Sequence, residues 1–220
     1  YLWFATTDGL ARYDGVGMRV WRHDPDDPAS LPGNSHTTAV HVDAHDRLWV
    51  AVEGRGLAML DPARRRFTHF QRGTHPAMGS DDVFAIASRG GEVWFGTYGG
   101  GVHRIDARGR IARFGAAQGL PDDTVISLAF DARGRLWVAT PGGLARWSGR
   151  GFEAVPLPGP QPRPMVLSVS PVGGSLWVGT DIGVFERLAD GRWRQPAWSP
   201  MFERPNAVVS LVADGAGGLW

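Results

Sequence analysis

Five residues of this chain, Asp8, Glu53, Arg55, Tyr98 and Asp181, bring together three carboxylates, one guanidinium and one phenol. Carboxylates accept hydrogen bonds, an arginine fork donates two in parallel, and an aromatic face offers a flat apolar platform. That mixture suits a polar molecule, sugar-like or peptide-like, and contains no catalytic set. The five are far apart in sequence, so only a fold that returns to the same surface could make a site of them. For each residue singly, an ordinary solvated loop position is the competing reading.

Other constellations carry less. His41-x-x-x-His45 with Asp43 and Asp46 has the composition of a metal cluster. A spacing of four suits a helix, whereas these residues fall on a strand end and a turn, where His45 leaves the face shared by His41 and Asp43. No metal site is expected. Tyr98-Gly99-Gly100-Gly101 is rich in glycine, but no lysine and no helix follow it, so it is no phosphate cradle. There is no Gly-x-Ser-x-Gly elbow and no cysteine. No catalytic residue and no cofactor are assigned.

What must position the five residues is a repeat. Leu-Trp recurs at Leu2-Trp3, Leu48-Trp49, Leu136-Trp137, Leu176-Trp177 and Leu219-Trp220, with Val93-Trp94 in the remaining slot; the steps between Trp residues are 46, 45, 43, 40 and 43. Around each Trp lie short runs of β-branched and aromatic residues bounded by Gly, Pro or Asp, which is the pattern of strands. No apolar stripe of helical period is present. Four strands per repeat of this length predict the blades of a β-propeller. The expected repeat bounds are 1–34 (strands two to four only), 35–80, 81–122, 123–163, 164–205 and 206–220, the last a leading strand. Four-stranded sheets cannot bury both faces alone, so the recurring Trp is read as filler between stacked sheets rather than as a ligand platform.

With strand one innermost, the loops between strands two and three share one face with the long connections 22–37, 71–82, 115–124, 156–165 and 196–207. Asp8, Glu53, Arg55, Tyr98, Pro141 and Asp181 fall on that face. The other face carries short Asp/Gly turns such as Asp131-Ala-Arg-Gly134. Variable loops on a rigid scaffold are where binding is found. Arg64-Arg65-Arg66 is expected to be a solvated turn.

The 220 residues carry a formal net charge of +1, and all 23 basic side chains are Arg. This balance, without a long basic run, speaks against a nucleic-acid partner. The chain begins and stops at the same point of the repeat. Either the ends meet in a five-sheet ring or the chain is an open arc of a larger one; the arc is the expectation.

The composite pattern Gly-Leu-Pro-x-Asp-x-Val-x-Ser-Leu-x-x-Asp-x-x-Gly-x-Leu-Trp-Val-x-Thr-x-x-Gly-Leu-x-Arg, nearly complete from Gly119 to Arg146, resembles the two-component regulator propeller repeat. The resemblance implies a ligand-sensing, extracytoplasmic propeller of a bacterial membrane signalling protein with a kinase or cyclase output, itself not an enzyme. The full-length protein would be membrane-anchored and dimeric, and its partner a small polar ligand or another protein. Two alternatives stand beside it: a lyase or hydrolase of the streptogramin lyase or lactonase type, and an interaction scaffold without a small ligand.

Overall fold

A computed structural model describes residues 1–158, 163–198, 207–212, 214 and 218–220. Apart from one 3-10 turn, Ala116–Gln118, its regular structure is all β. Sheet one holds β1 (Leu2–Thr6), β2 (Gly9–Tyr13) and β3 (Met18–Trp21). Sheet two holds β4 (Thr37–Val42), β5 (Leu48–Val52), β6 (Leu57–Leu60) and β7 (Phe67–Phe70). Sheet three holds β8 (Val83–Arg89), β9 (Glu92–Thr97), β10 (Gly101–Ile105) and β11 (Ile111–Phe114). Sheet four holds β12 (Ser127–Phe130), β13 (Leu136–Thr140), β14 (Gly143–Trp147) and β15 (Phe152–Val155). Sheet five holds β16 (Val166–Val172), β17 (Ser175–Thr180), β18 (Gly183–Arg187) and β19 (Trp193–Arg194). Each sheet is an antiparallel meander in chain order. No helix among the described residues is long and apolar enough to cross a membrane.

The chain divides into two compact units, Tyr1–Arg113 and Phe114–Trp220. In the first, the leading strands of successive sheets, β1 with β4 and β4 with β8, pack side by side; in the second, β12 packs on β16. Leading strands are therefore the inner ones within each unit. The second strand of each complete sheet is largely apolar because neighbours cover both its faces, and all of β5 and all of β13 are buried.

The repeating Trp residues occupy one register. Trp3 faces Arg12, Trp49 faces Met59, Trp94 faces Arg104, Trp137 faces Arg146 and Trp177 faces Glu186 across the second and third strands. Trp49, Trp94 and Trp137 are buried. Trp3 and Trp177 are half-buried. Trp177 stacks on Trp198 with ring centroids 6.3 Å apart.

Two devices close the turn before the Trp strand. In sheets two and four an aspartate does so. Asp131 accepts the Arg133 and Arg135 backbone N–H groups at 3.0 Å on Oδ1, and Arg135 Nε at 2.7 Å and Trp137 Nε1 at 2.9 Å on Oδ2. Asp43 takes the equivalent bonds from His45, Arg47 and Trp49. In sheets three and five a two-residue turn serves instead. Gly90-Gly91 (φ 59 and 84) and Gly173-Gly174 (φ 56 and 87) adopt the left-handed conformation at both positions, which matches strand twist and which only glycine takes freely.

Two sequence expectations change. Arg64 is not a solvated turn residue. Its φ is 58, its guanidinium bonds the Asp46 carboxylate at 2.5 Å and carbonyl at 2.7 Å, and it lies 5.4 Å over Trp3. A flat, weakly hydrated guanidinium gains more over an indole than in water. The leading strand expected within 206–220 lies partly outside the described residues, and those described carry no strand of it. Val212 and Trp220 instead exchange two backbone bonds at 2.9 Å, and Asp214 accepts the Gly218 N–H at 2.7 Å.

Candidate functional site

The loops between strands two and three are built on a Thr-x-x-Gly turn in sheets one, four and five. Thr6, Thr140 and Thr180 each donate Oγ1 to the carbonyl of the Gly that opens the next strand, at 2.8 Å. The residue after the second strand is then held by the segment entering the same sheet. Glu53 N–H donates to His36 O at 2.9 Å, Tyr98 N–H to Asp82 O at 2.8 Å and Asp181 N–H to Met165 O at 3.2 Å. Glu53, Tyr98 and Asp181 are thus equivalent positions, fixed by backbone and free to vary in side chain; Pro141 stands at the same place without an N–H to donate.

The structure brings two of the five expected residues together. Glu53 from sheet two and Tyr98 from sheet three line a cleft of about 210 Å³ with Thr38, Asp82, Val83 and Phe84. Tyr98 is 61% and Phe84 45% exposed, and their rings meet edge to face with centroids 6.2 Å apart. Glu53 is exposed and Asp82 half-buried. Two carboxylates and two apolar rings therefore border one opening, with no cation among the lining residues.

The other three residues stand apart from it. Arg55 shares the Glu53 turn, but its stem lies on Gly33, where an added Cβ would stand 3.0 Å from Arg55 Cγ. Asp8 pairs with Arg22 at 2.8 Å on the surface of sheet one. Asp181 belongs to the second unit, and its Oδ1 is buried without a hydrogen-bond partner among the described residues.

Sequence reasoning missed Phe84, Thr38 and Asp82. The first two are bulged. Register shifts between Thr37 and Ala39 in β4, between Val83 and Ala85 in β8, and between Val166 and Ser168 in β16. A bulge turns one side chain off the ladder and re-aims it. Thr38 uses that freedom to donate to Val83 O of the next leading strand at 2.6 Å, and Phe84 uses it to stand at the cleft. Asp82 closes the cleft from below, accepting Gly54 N–H on Oδ1 at 3.1 Å.

His41 and His45 do not converge. His41 Nε2 meets Ser88 Oγ at 2.8 Å, and burial, partly opposed by Asp43, lowers its pKa. Among the described residues no group of three or more His, Cys, Asp or Glu could hold a metal ion. His103 is fully buried, stacked on Phe95 at 4.8 Å, and its Nε2 accepts Gly79 N–H at 2.9 Å. Burial, with Arg113 nearby, pulls its pKa down to about 4. It is a core group that fastens the 71–82 connection.

Antiparallel four-stranded sheets, leading strand innermost and one indole at one register, are the blades of a β-propeller. A model of the family described as two component regulator propeller matches residues 119–142, the segment that holds the most complete copy of the repeat. No curated protein matches the sequence. Among solved structures, the chain is similar to an extracellular domain assigned to the hybrid two component system BT3049 of B. thetaiotaomicron, with TM-score 0.81 and 22% identity over 99% of this chain and 30% of that one. The extracellular domain of the hybrid two component system BT4673 of the same organism gives TM-score 0.79 and 22% identity over 99% and 28%. Virginiamycin B lyase from Staphylococcus aureus gives TM-score 0.63 and 18% identity over 84% and 62%. The chain therefore spans less than a third of the two extracellular domains it resembles.

Proposed function

We propose that this chain is a ligand-sensing part of an extracytoplasmic propeller in a bacterial membrane signalling protein, and that it binds without chemistry. One observation carries the binding half of the proposal: the exposed Phe84–Tyr98 pair beside Glu53 and Asp82, at the seam of two sheets. Large exposed aromatic faces are costly to leave in water, and converging polar groups at a concavity mark a binding site. The likeness to extracellular domains of two component systems supports the signalling half. A ligand seated between sheets two and three would favour one arrangement of the seam, and only its differential affinity for two arrangements can drive a signal.

The test is a thermal-shift screen of the chain against amines, amino acids, short peptides and oligosaccharides. A hit should lose at least about tenfold in affinity on Tyr98→Ala or Glu53→Ala, since each removes a contact of the 1–2 kcal/mol class. Arg108→Ala, on the turn between β10 and β11, should leave it unchanged. The similarity to virginiamycin B lyase keeps a lyase reading open. Recovery of the hit chemically unchanged after long incubation is expected; turnover abolished by one cleft substitution would favour the lyase.

A further inference from the structure

Arg187 breaks the repeat at a half-buried place. In sheets two and three the residue paired with the one before the Trp is Leu60, opposite Leu48, and Ile105, opposite Val93. Both are buried, at 0% and 4% exposure. In sheet five the same register, opposite Leu176, holds Arg187. Its guanidinium lies 5.4 Å over Trp137 and 5.9 Å over Trp193, and its Nε is buried without a hydrogen-bond partner among the described residues. A buried donor left unpaired is costly, and a repeat protein has an apolar solution for that position already in hand.

Arg187 lines a cleft of about 290 Å³ between sheets four and five, on the face of short turns opposite the loop face. Arg133 and Arg135 line it too, and Pro171, Val172 and Leu188 supply apolar wall. The carboxylate in the wall is already engaged, because Asp131 holds four donors. Asp190, the other acid nearby, is paired with Arg192 at 2.7 Å. Burial first, then repulsion from Arg135 and Arg146, lowers the Arg187 pKa, with Asp131 and Asp190 opposing. Three guanidinium groups thus face one saturated carboxylate.

We propose that this cleft is a second binding site, for a small organic anion whose oxyanion group engages Arg187 Nε and the neighbouring guanidinium groups while its carbon skeleton rests on Pro171 and Val172. Arginine forks match the oxygens of carboxylate and phosphate alike. The competing role for Arg187 is structural, as a cation clamped between two indoles.

The experiment measures melting temperature and calorimetric binding of the purified chain with sodium benzoate, inorganic phosphate and sodium chloride at matched ionic strength. Benzoate is expected to raise the melting temperature by several degrees beyond chloride, with saturation. A response to phosphate as well would assign the site to oxyanions in general, and a response to benzoate alone to carboxylates on an apolar body. Arg187→Leu installs the residue that sheet two carries at this register. It should fold, match or exceed the wild-type melting temperature without anion, and bind benzoate about tenfold or more weaker. Arg187→Gln, uncharged but similar in reach, should lose the response equally and serves where the leucine variant fails to fold. The proposal is overturned if neither anion exceeds chloride. It is also overturned if both variants keep the full response.

Discussion

At the scale of single residues, the aspartate of the tight turn joins backbone, guanidinium and indole in one group. Burial pushes the Asp131 carboxyl up, but the Trp137 and Arg135 hydrogen bonds outweigh it and hold its pKa below the ordinary 3.8; Asp43 behaves alike. Asp131→Ala leaves Trp137 Nε1 and two backbone N–H groups without their acceptor and should cost about 2–3 kcal/mol in a urea melt. Asp106 closes the same kind of turn with Arg108 and Arg110 and no indole. Asp106→Ala should therefore shift the midpoint much less, and equal shifts would refute the role given to the indole bond. His103 adds a pH dependence. Its pKa is lower folded, about 4, than the ordinary 6.5, so the unfolded chain takes up the proton first. Stability should fall as pH drops from about 6.5 to about 4, by up to about 3 kcal/mol, and this contribution should stop changing below that. His103→Gln keeps an acceptor for Gly79 N–H and should flatten that slope in melts at pH 7, 5.5 and 4.5; an unaltered slope would discount it. Below 3.8 the loss passes to Asp43 and Asp131, whose depressed pKa values favour the fold only while they stay ionised.

At the scale of elements, the strands were legible and the bulges were not. Short β-branched runs between Gly and Asp identify strands because side-chain shape and turn geometry are local. Trp burial was legible for Trp49, Trp94 and Trp137, whereas Trp177, at the same register, is half-buried and stacks on Trp198. A bulge leaves no such mark. Thr38 and Phe84 look like ordinary strand residues, and only the pairing of β4 with β5 and of β8 with β9 reveals the extra residue in each. The cleft was half legible for that reason. Glu53 and Tyr98 follow from loop position, whereas Phe84 and Asp82 need the register. Arg55 and Asp8 stand apart because charged side chains choose partners in space, with the Arg55 stem lying on Gly33 and Asp8 paired with Arg22. The six-residue interval from Asp43 to Trp49 and from Asp131 to Trp137 was visible, yet its meaning rests on a hydrogen bond that sequence does not display.

At the scale of the whole molecule, a repeat chain is stabilised by neighbour-to-neighbour seams, and specificity enters where one copy departs from the rest. Two such departures lie in different units, at Glu53–Phe84–Tyr98 in the first and at Arg187 in the second. The repeat predicts the common parts of every sheet and is silent about the exceptions, since an exception is defined only against aligned copies in space. The Glu53 turn is fastened to two sheets at once. Glu53 N–H is tied to the segment entering its own sheet, whereas Gly54 N–H bonds Asp82 and Gly56 N–H bonds Asp81 O, both in the segment entering the next. The turn is a rivet through two plates, and anything wedged between Glu53 and Tyr98 loads that rivet in shear. Occupancy should then be readable far from any side chain it touches, as slowed amide hydrogen exchange at Gly54, Gly56 and Tyr98 on addition of a cleft ligand, with Gly134 in the other unit unmoved. Exchange slowed equally at all four would mean general tightening, and the seam would not be the gauge.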